Sequence, residues 1–521
     1  MNSALQYATE NTVPETFGTT VTFEVKAADI VKIALDLHKN KRLALLSVTA
    51  TDEREDRNCF KIWYIFGAPK ENAFIVPSIR LINTNEFPSL TPMIHQAWNP
   101  EKKILTFFGL KPVGHPDLRP TILHENWPSG VFPLRKDFNW DMRPEPARGV
   151  HHFQKIKGEG IYEIPVGPIH AGIIEPGHFR FSVAGEEIML LEPRLGFTHK
   201  GSEKLFERLP LEEKLRLSEK ISGDSSFSHS LAFCQALEEL GETEVPNRAL
   251  FLRVIFAELE RLANHLGDIG AIMLDTGFNF GGSHGARLRE TVMRINERLT
   301  GGRFLRGVNA VGGVTKDVGC EEAEKLTYDL EHLERDFSEI VNIAENSASL
   351  LNRLKSTGTL SREIALDHGA VGPAAKSLGI AYDARVDFPY AAYRELCFDH
   401  GEIAQGGDVY ARFCVRVKEV GASISIVIRA LQNLPQGPIL ASTAINSFKS
   451  KALSVSIVEG WRGNIVYFVT TDARGNISRV APRDPSSVNW PMLEHAAVGN
   501  IVPDFPLINK SFNLSYSGND L

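Results

Sequence analysis

The sequence predicts two domains of different class: an α+β domain at the N-terminus, then a mainly α domain, a helical bundle with small β elements near its start and end. Three observations carry this. Two runs rich in β-branched and aromatic residues, Phe60–Phe66 and Ala73–Ile82, lie close together early in the chain. Much later, Leu250, Phe251, Val254, Ile255, Leu259, Leu262 and Leu266 form an i, i+3, i+4 stripe, the period of a helix with one apolar face. Between them, Asp141–Gly158 holds Pro144, Pro146 and several charges, which marks a linker. The boundaries read as 1–142, a linker at 143–160, and 161–521. A chain of 521 residues also exceeds what one core usually serves.

Composition excludes several function classes. A net charge of −7 leaves no basic footprint for nucleic acid, so no nucleic-acid partner is expected. No apolar run reaches bilayer-spanning length. The N-terminus, Met1 to Tyr7, lacks the basic and apolar regions of a signal peptide. Five cysteines, Cys59, Cys234, Cys320, Cys397 and Cys414, are widely spaced, and no C-x-x-C occurs. Zinc, iron–sulfur and redox-dithiol sites are therefore not expected in this chain, and the compartment reads as reducing.

Taken in order, Ala27–Lys41 has helical spacing at Ile30, Val31, Ala34, Leu35 and Leu37. Phe108–Arg119 and Phe132–Phe138 combine Gly and Pro turns with the basic residues Arg119, Arg135 and Lys136. Ile164–His170 and Glu175–Val183 read as the start of a β-hairpin, the second run alternating apolar and polar residues. Leu211–Leu240 reads as helical with a break near Gly223. The glycine-rich Asp275–Gly285 lacks a following Gly-Lys-Ser/Thr, so it predicts a helix–helix turn rather than a phosphate cradle. Gly301–Gly319 predicts a second turn, Glu321–Leu354 one long amphipathic helix, and the stretch after Gly407 another helix to Leu434. Gly499–Tyr516 is too apolar for a loose tail and is expected to reach a partner subunit.

Several of these stretches resemble known families. Phe108-Gly-Leu-Lys-Pro-Val-Gly-His-Pro-Asp-Leu-Arg119, followed by Phe132-Pro-Leu-Arg-Lys-Asp-Phe138, resembles the signature of the complex I 30 kDa-type subunit. From Ile164 to Asn489 the chain resembles the large subunit of group 4, energy-converting NiFe hydrogenases and its relative, the 49 kDa-type subunit of complex I. The carriers are Gly196-Phe-Thr-His-Lys-Gly-Ser-Glu-Lys204, the Arg253, Glu258, Arg261 and His265 pattern, Asp383-Ala-Arg-Val-Asp-Phe-Pro-Tyr390, Gly407-Asp-Val-Tyr-Ala-Arg-Phe413 and Glu459-Gly-Trp-Arg-Gly463. In the hydrogenases, two cysteine pairs hold nickel and iron. The positions matched to them here are Ser222, Ser225, Ser486 and Asn489. Serine hydroxyls and an amide are poor substitutes for soft thiolates, so the resemblance implies the frame without its metal.

The resemblance implies further roles. His170 and His178 lie near the family loop that faces a quinone headgroup. An imidazole suits that task because it donates a hydrogen bond to a carbonyl and titrates near neutrality. The quinone-facing Tyr of the 49 kDa-type subunit falls at Gly223, so it is absent. Arg462 and His229 are expected to face the vacated cavity and, with His178, to carry its chemistry. His199, Lys200 and Glu203 would line the seam with an iron–sulfur small subunit of the complex I 20 kDa type. His115 and Arg119 would belong to a docking strap for a partner. The implied function is a subunit that passes electrons from that subunit's iron–sulfur cluster to a quinone or similar acceptor, coupled to ion movement in antiporter-like membrane subunits. The chain itself would bind no metal and would sit on the cytoplasmic face of the cell membrane. A formate hydrogenlyase-type hydrogenase and a non-catalytic scaffold are the competing readings.

Overall fold

The computed structural model describes residues 14–396, 405–442 and 447–521; Cys397 lies outside the described residues. The N-terminal part is α+β and the rest is mainly helical with small sheets, as the sequence predicts. Strands β1 (Glu15–Phe17), β2 (Thr20–Val25), β3 (Ala44–Glu53), β4 (Cys59–Ala68) and β5 (Ala73–Leu81) form one sheet in the order β1-β2-β5-β4-β3. Within this sheet, β2 and β5 pair in parallel and the other neighbours antiparallel.

Strand β4 is buried along its whole length and, apart from Lys61, apolar, because both faces of this sheet are covered. Ile62, Tyr64 and Phe66 join the domain's own core with Ile30, Ala34 and Phe107. Trp63 and Ile65 point the other way and meet Val455, Val466 and Phe468 of the C-terminal domain. Those partners come from a second sheet, made of β9 (Leu453–Gly460), β10 (Gly463–Thr471) and β11 (Ile477–Arg483). A smaller antiparallel sheet precedes it in the chain: β6 (Ile161–Val166), β7 (His178–Ala184) and β8 (Glu187–Arg194). Ring contacts seal the domain seam: Phe74 stacks on Phe388 at 5.2 Å, and Trp63 lies 5.6 Å from Phe468. Residues 143–157 contain no regular element and run along the surface, tied down by Ala147 N–H to Asn126 O and Gln154 N–H to Glu192.

The helical part is built on α1 (Ser226–Leu240), α2 (Asn247–Asp275), α3 (Asn279–Thr300), α4 (Cys320–Glu345), α5 (Val409–Gln432) and α6 (Ser486–Ala497). Three expectations need correction. The glycine-rich stretch predicted as a turn is mostly helix: only Thr276–Phe278 turn, and Gly281, Gly282 and Gly285 lie in α3. The glycines serve a close crossing, since a Cβ on Gly285 would stand 2.5 Å from Gly270 Cα of α2. The long helix predicted to Leu354 stops at Glu345, and a new one starts at Ala348 with the Ser347 hydroxyl accepting from Leu350 N–H. The C-terminal tail does not reach outward. Phe505–Phe512 and Tyr516–Asp520 are helical and pack on the chain's own core, where Leu521 is buried.

The crossing at Gly285 yields a test. Gly285→Val should lower stability by roughly 1–3 kcal/mol, because the backbone of Gly270 cannot yield. Gly302→Ala, which meets nothing within 4 Å, should leave the denaturant midpoint unchanged.

Candidate functional site

The polar cluster forms where three chain segments meet. The turn between Glu219 and Ser225 breaks the helical run near Gly223, as the sequence predicts, and buries Ser222 and Ser225. The β9–β10 hairpin supplies Arg462, and a Cβ on Gly372 would stand 2.1 Å from the Arg462 carbonyl, so only glycine fits beside that turn. The tail supplies Ser515.

Ser222 Oγ lies 2.9 Å from both Asp224 Oδ1 and Ser515 Oγ. Arg462 donates both terminal nitrogens to Asp224, at 2.6 and 2.7 Å, and its Nε to the Asn513 carbonyl at 2.5 Å. Its Nη1 also reaches Ser222 Oγ at 3.3 Å, and the guanidinium stacks over Trp461 at 3.8 Å. Burial pushes the Asp224 carboxyl up, but the Arg462 charge outweighs it and holds Asp224 below the usual carboxylate range. Arg462 is buried, while the Asp224 side chain stays 34% exposed, so the cluster opens to solvent at Gly223–Asp224.

Asp484 extends the cluster. It lies 3.0 Å from His229 Nε2 and accepts from Ser486 N–H at 2.7 Å, while His229 Nδ1 meets the Tyr467 hydroxyl at 3.1 Å. Burial raises the Asp484 carboxyl and the His229 hydrogen bond and Arg462 charge more than offset that. Ser486 Oγ accepts from Ser515 N–H at 2.9 Å. Gly518 closes over Asp484, with no room for a side chain: a Cβ would stand 2.5 Å from the carboxyl carbon.

The structure therefore brings together Ser222, Ser225, Arg462, His229 and Ser486. It does not bring in Asn489, whose amide exchanges two hydrogen bonds with the Val371 backbone. Ser515 stands opposite Ser222. The sequence reading passed over it because a lone serine in an apolar tail carries no motif; the short spacing Ser515-Tyr-Ser-Gly518 was the available signal. His178 is also outside the cluster. Strand alternation points Phe179 at Trp490 and Tyr516, so His178 faces the other side, against Phe153. His170 Nε2 bonds the Gly177 carbonyl at 2.7 Å and shapes its own loop.

The residues expected at partner seams make contacts within the chain. His199 Nδ1 meets the Asp520 carbonyl at 2.8 Å, and Lys200 donates to Ser517 Oγ. Glu203 bridges Lys103 at 2.9 Å and Arg479 at 2.6 Å, which holds it at about 2 despite burial. His115 fastens a turn, through Nδ1 to Asp117 N–H and Nε2 to the Trp98 carbonyl. Arg119 reaches Glu192 of β8 at 2.7 Å, and Lys136 reaches the Ser478 carbonyl at 2.6 Å. These basic residues thus strap the N-terminal domain to its own C-terminal domain.

Glu260 of α2 was not singled out by the sequence. It accepts from Phe227 N–H, Ser228 N–H and Ser228 Oγ at 2.7, 3.0 and 2.5 Å, capping α1 beside the cluster. Burial pushes its carboxyl up to about 7, only partly offset by those bonds. In the unfolded chain the same group ionises near ~4.3. Between these values the folded protein holds a proton that the unfolded chain has lost, so wild-type stability falls as pH rises through that window. Glu260→Gln removes this dependence. Its stability relative to wild type should climb by up to ~1.4 kcal/mol per pH unit until about pH 7, then level off, in denaturant titrations at stepped pH.

Among the described residues, no group of three His, Cys, Asp or Glu side chains is arranged to hold a metal ion. The cluster offers hydroxyls, carboxylates, an imidazole and a guanidinium, a set that binds polar groups and holds or passes protons. Comparison with known proteins defines the lineage. Residues 275–455 match the family "Respiratory-chain NADH dehydrogenase, 49 Kd subunit", and residues 23–144 match the 30 Kd subunit family. The chain is 33% identical over 477 residues to formate hydrogenlyase subunit 5 of Escherichia coli, covering 90% of this chain and 83% of that protein. It is 35% identical over 483 residues to hydrogenase-4 component G of the same organism, covering 90% and 82%. Among solved structures, a chain of the archaeal membrane-bound sulfane sulfur reductase superposes with a TM-score of 0.65 at 27% identity, over 70% of this chain and 99% of that one. With 33% and 35% identity to these relatives over 90% of its length, the chain belongs to the complex I and hydrogenase family of oxidoreductase-complex subunits, with a 30 kDa-type region preceding a 49 kDa-type region.

Proposed function

We propose that this chain is a subunit of a membrane-bound, complex I-like respiratory complex that works without a NiFe centre. It would take electrons from the iron–sulfur cluster of a neighbouring 20 kDa-type subunit and deliver them to a quinone or similar small acceptor, coupled to ion movement in membrane subunits. The observation that carries this is the Ser222–Ser515 contact locked by Arg462 and Asp224. A nickel–iron pair needs thiolates, and no thiol takes part in these contacts among the described residues. The residues do not fit that metal centre.

Acceptor chemistry has support at the open edge. Asp224 and Arg462 supply charge and hydrogen bonds beside the loop 167–177. That loop is tied to the tail by Ser517 N–H to Glu175 at 3.1 Å, and Ser517 Oγ donates to Ile221 O at 2.7 Å, next to Ser222. It exposes Ile169 and Ile173 almost fully, an apolar rim that suits a lipophilic acceptor or the subunit presenting it. No helix among the described residues is long and apolar enough to cross a membrane, so attachment would run through partner subunits on the inner face. A scaffold role is the second reading, favoured by the tail filling the space beside Ser222.

Purified native complex should contain iron and acid-labile sulfide, co-purify with quinone, and lack nickel. Arg462→Met and Asp224→Asn should each assemble and lower acceptor reduction by about tenfold or more, a loss of ~1.4 kcal/mol or more. Unchanged turnover in both variants would favour the scaffold, and stoichiometric nickel would overturn the proposal.

A further inference from the structure

A cavity lies in the seam between the two domains, apart from the Ser222 cluster. It offers the centres of water-sized groups about 90 Å³. At ~10–15 Å³ each, that is room for roughly six to nine such groups, the size of a small organic molecule. Its walls combine an apolar part, from Leu46, Val48, Ile104, Ile122, Leu134 and Val488, with polar and charged side chains. Such a mixed lining suits a molecule with an apolar body and a polar end.

The charged side chains lining it are unequal in sign. Lys103, Arg479 and Arg483 face one carboxylate, Glu203. That carboxylate is already shared between Lys103 and Arg479. Arg483 has no carboxylate within ion-pair distance among the described residues. Its Nη1 donates to the Leu46 carbonyl at 2.9 Å and its Nη2 to the Asn464 carbonyl at 2.8 Å, and its buried Nε has no partner. Asp484 and Glu459 act on this charge only from beyond contact distance, so a buried guanidinium with an unbonded Nε stays incompletely compensated, and an anion placed beside it would lower that cost. Burial lowers the Arg483 pKa to about 10, which still leaves it charged at neutral pH. The imidazoles at the same wall do not add charge: burial and the neighbouring His95 and His495 push His368 down to about 3, and burial also lowers His95.

We propose that this seam cavity is a binding site for a small organic carboxylate, its apolar body against Leu46, Ile104 and Val488 and its oxygens on the Arg483 guanidinium. Because the pocket is walled by both domains, occupancy would tighten the strap that joins them, whatever electron acceptor the complex uses. The tests are calorimetric titration and thermal unfolding of the purified full-length chain with benzoate as probe, at constant ionic strength. Benzoate should bind saturably and raise the unfolding temperature, as a ligand selective for the folded state must. Arg483→Met should weaken binding by about tenfold or more. If Arg483→Met fails to fold, Val488→Trp provides the second test: it fills the cavity, keeps the guanidinium, and should abolish binding. No saturable binding to the wild type, an equal effect of chloride, or wild-type affinity in Val488→Trp would each overturn the proposal.

Discussion

A buried charge persists only when other charges and dipoles surround it, and helix α2 buries several. Glu258, Arg261 and His265 lie on its inward face, each almost wholly shielded from solvent. Their partners come from far along the chain. Arg385 reaches Glu258 at 3.0 Å, Glu419 accepts from His265 at 2.7 Å, and Lys376 joins Glu419 at 2.6 Å. Burial alone would raise Glu258, but Arg385 and Arg261 hold it at about 2. Removing one member of such a set typically costs about 3–5 kcal/mol, because the rest is left unpaired. The bundle can close only in the register that satisfies all of them.

That register also places the candidate site. Arg261 donates to the Glu459 and Gly460 carbonyls at 2.6 and 3.1 Å. Those carbonyls lie in the hairpin that carries Trp461 and Arg462. The buried network thereby fixes the hairpin, the hairpin aims Arg462 at Asp224, and Arg462 holds the tail through the Asn513 carbonyl. Glu459 shows the tension in the arrangement: burial and the neighbouring Asp383 push its carboxyl up to about 8, against the pull of Lys376.

The two domains behave as one body for a related reason. Strands β4 and β10 are apolar on both faces, so neither sheet could be left bare to water. Each covers the other, and the basic strap of Arg119, Lys136 and Lys103 fixes their relative position with partners in the C-terminal domain. Arg119 and Lys136 read from sequence as part of a surface for another subunit. Sequence shows that a charge needs a partner but cannot say whether the partner is in the same chain.

Local sequence determined the elements themselves. Periodicity and composition gave the helix through Leu250–Leu266, the strands at Phe60 and Ala73, the break at Gly223 and the two-domain order, because these follow from short-range sterics and amphipathic spacing. Motif order gave the family, and with it Ser222, Ser225, Arg462 and His229 as neighbours. Only the tertiary structure decided which residue stands opposite Ser222. Motif spacing groups Asn489 with Ser222, Ser225 and Ser486, but that amide is taken up by the Val371 backbone, and Ser515 arrives from a tail with no motif of its own. It likewise turned His178 away from the cluster, by strand alternation against a neighbour the sequence could not name, and turned Gly281, Gly282 and Gly285 from a turn into a helix face, because α2 passes too close for side chains. Contacts between segments hundreds of residues apart are set by which buried polar groups must be satisfied together, and no local window of sequence contains that condition.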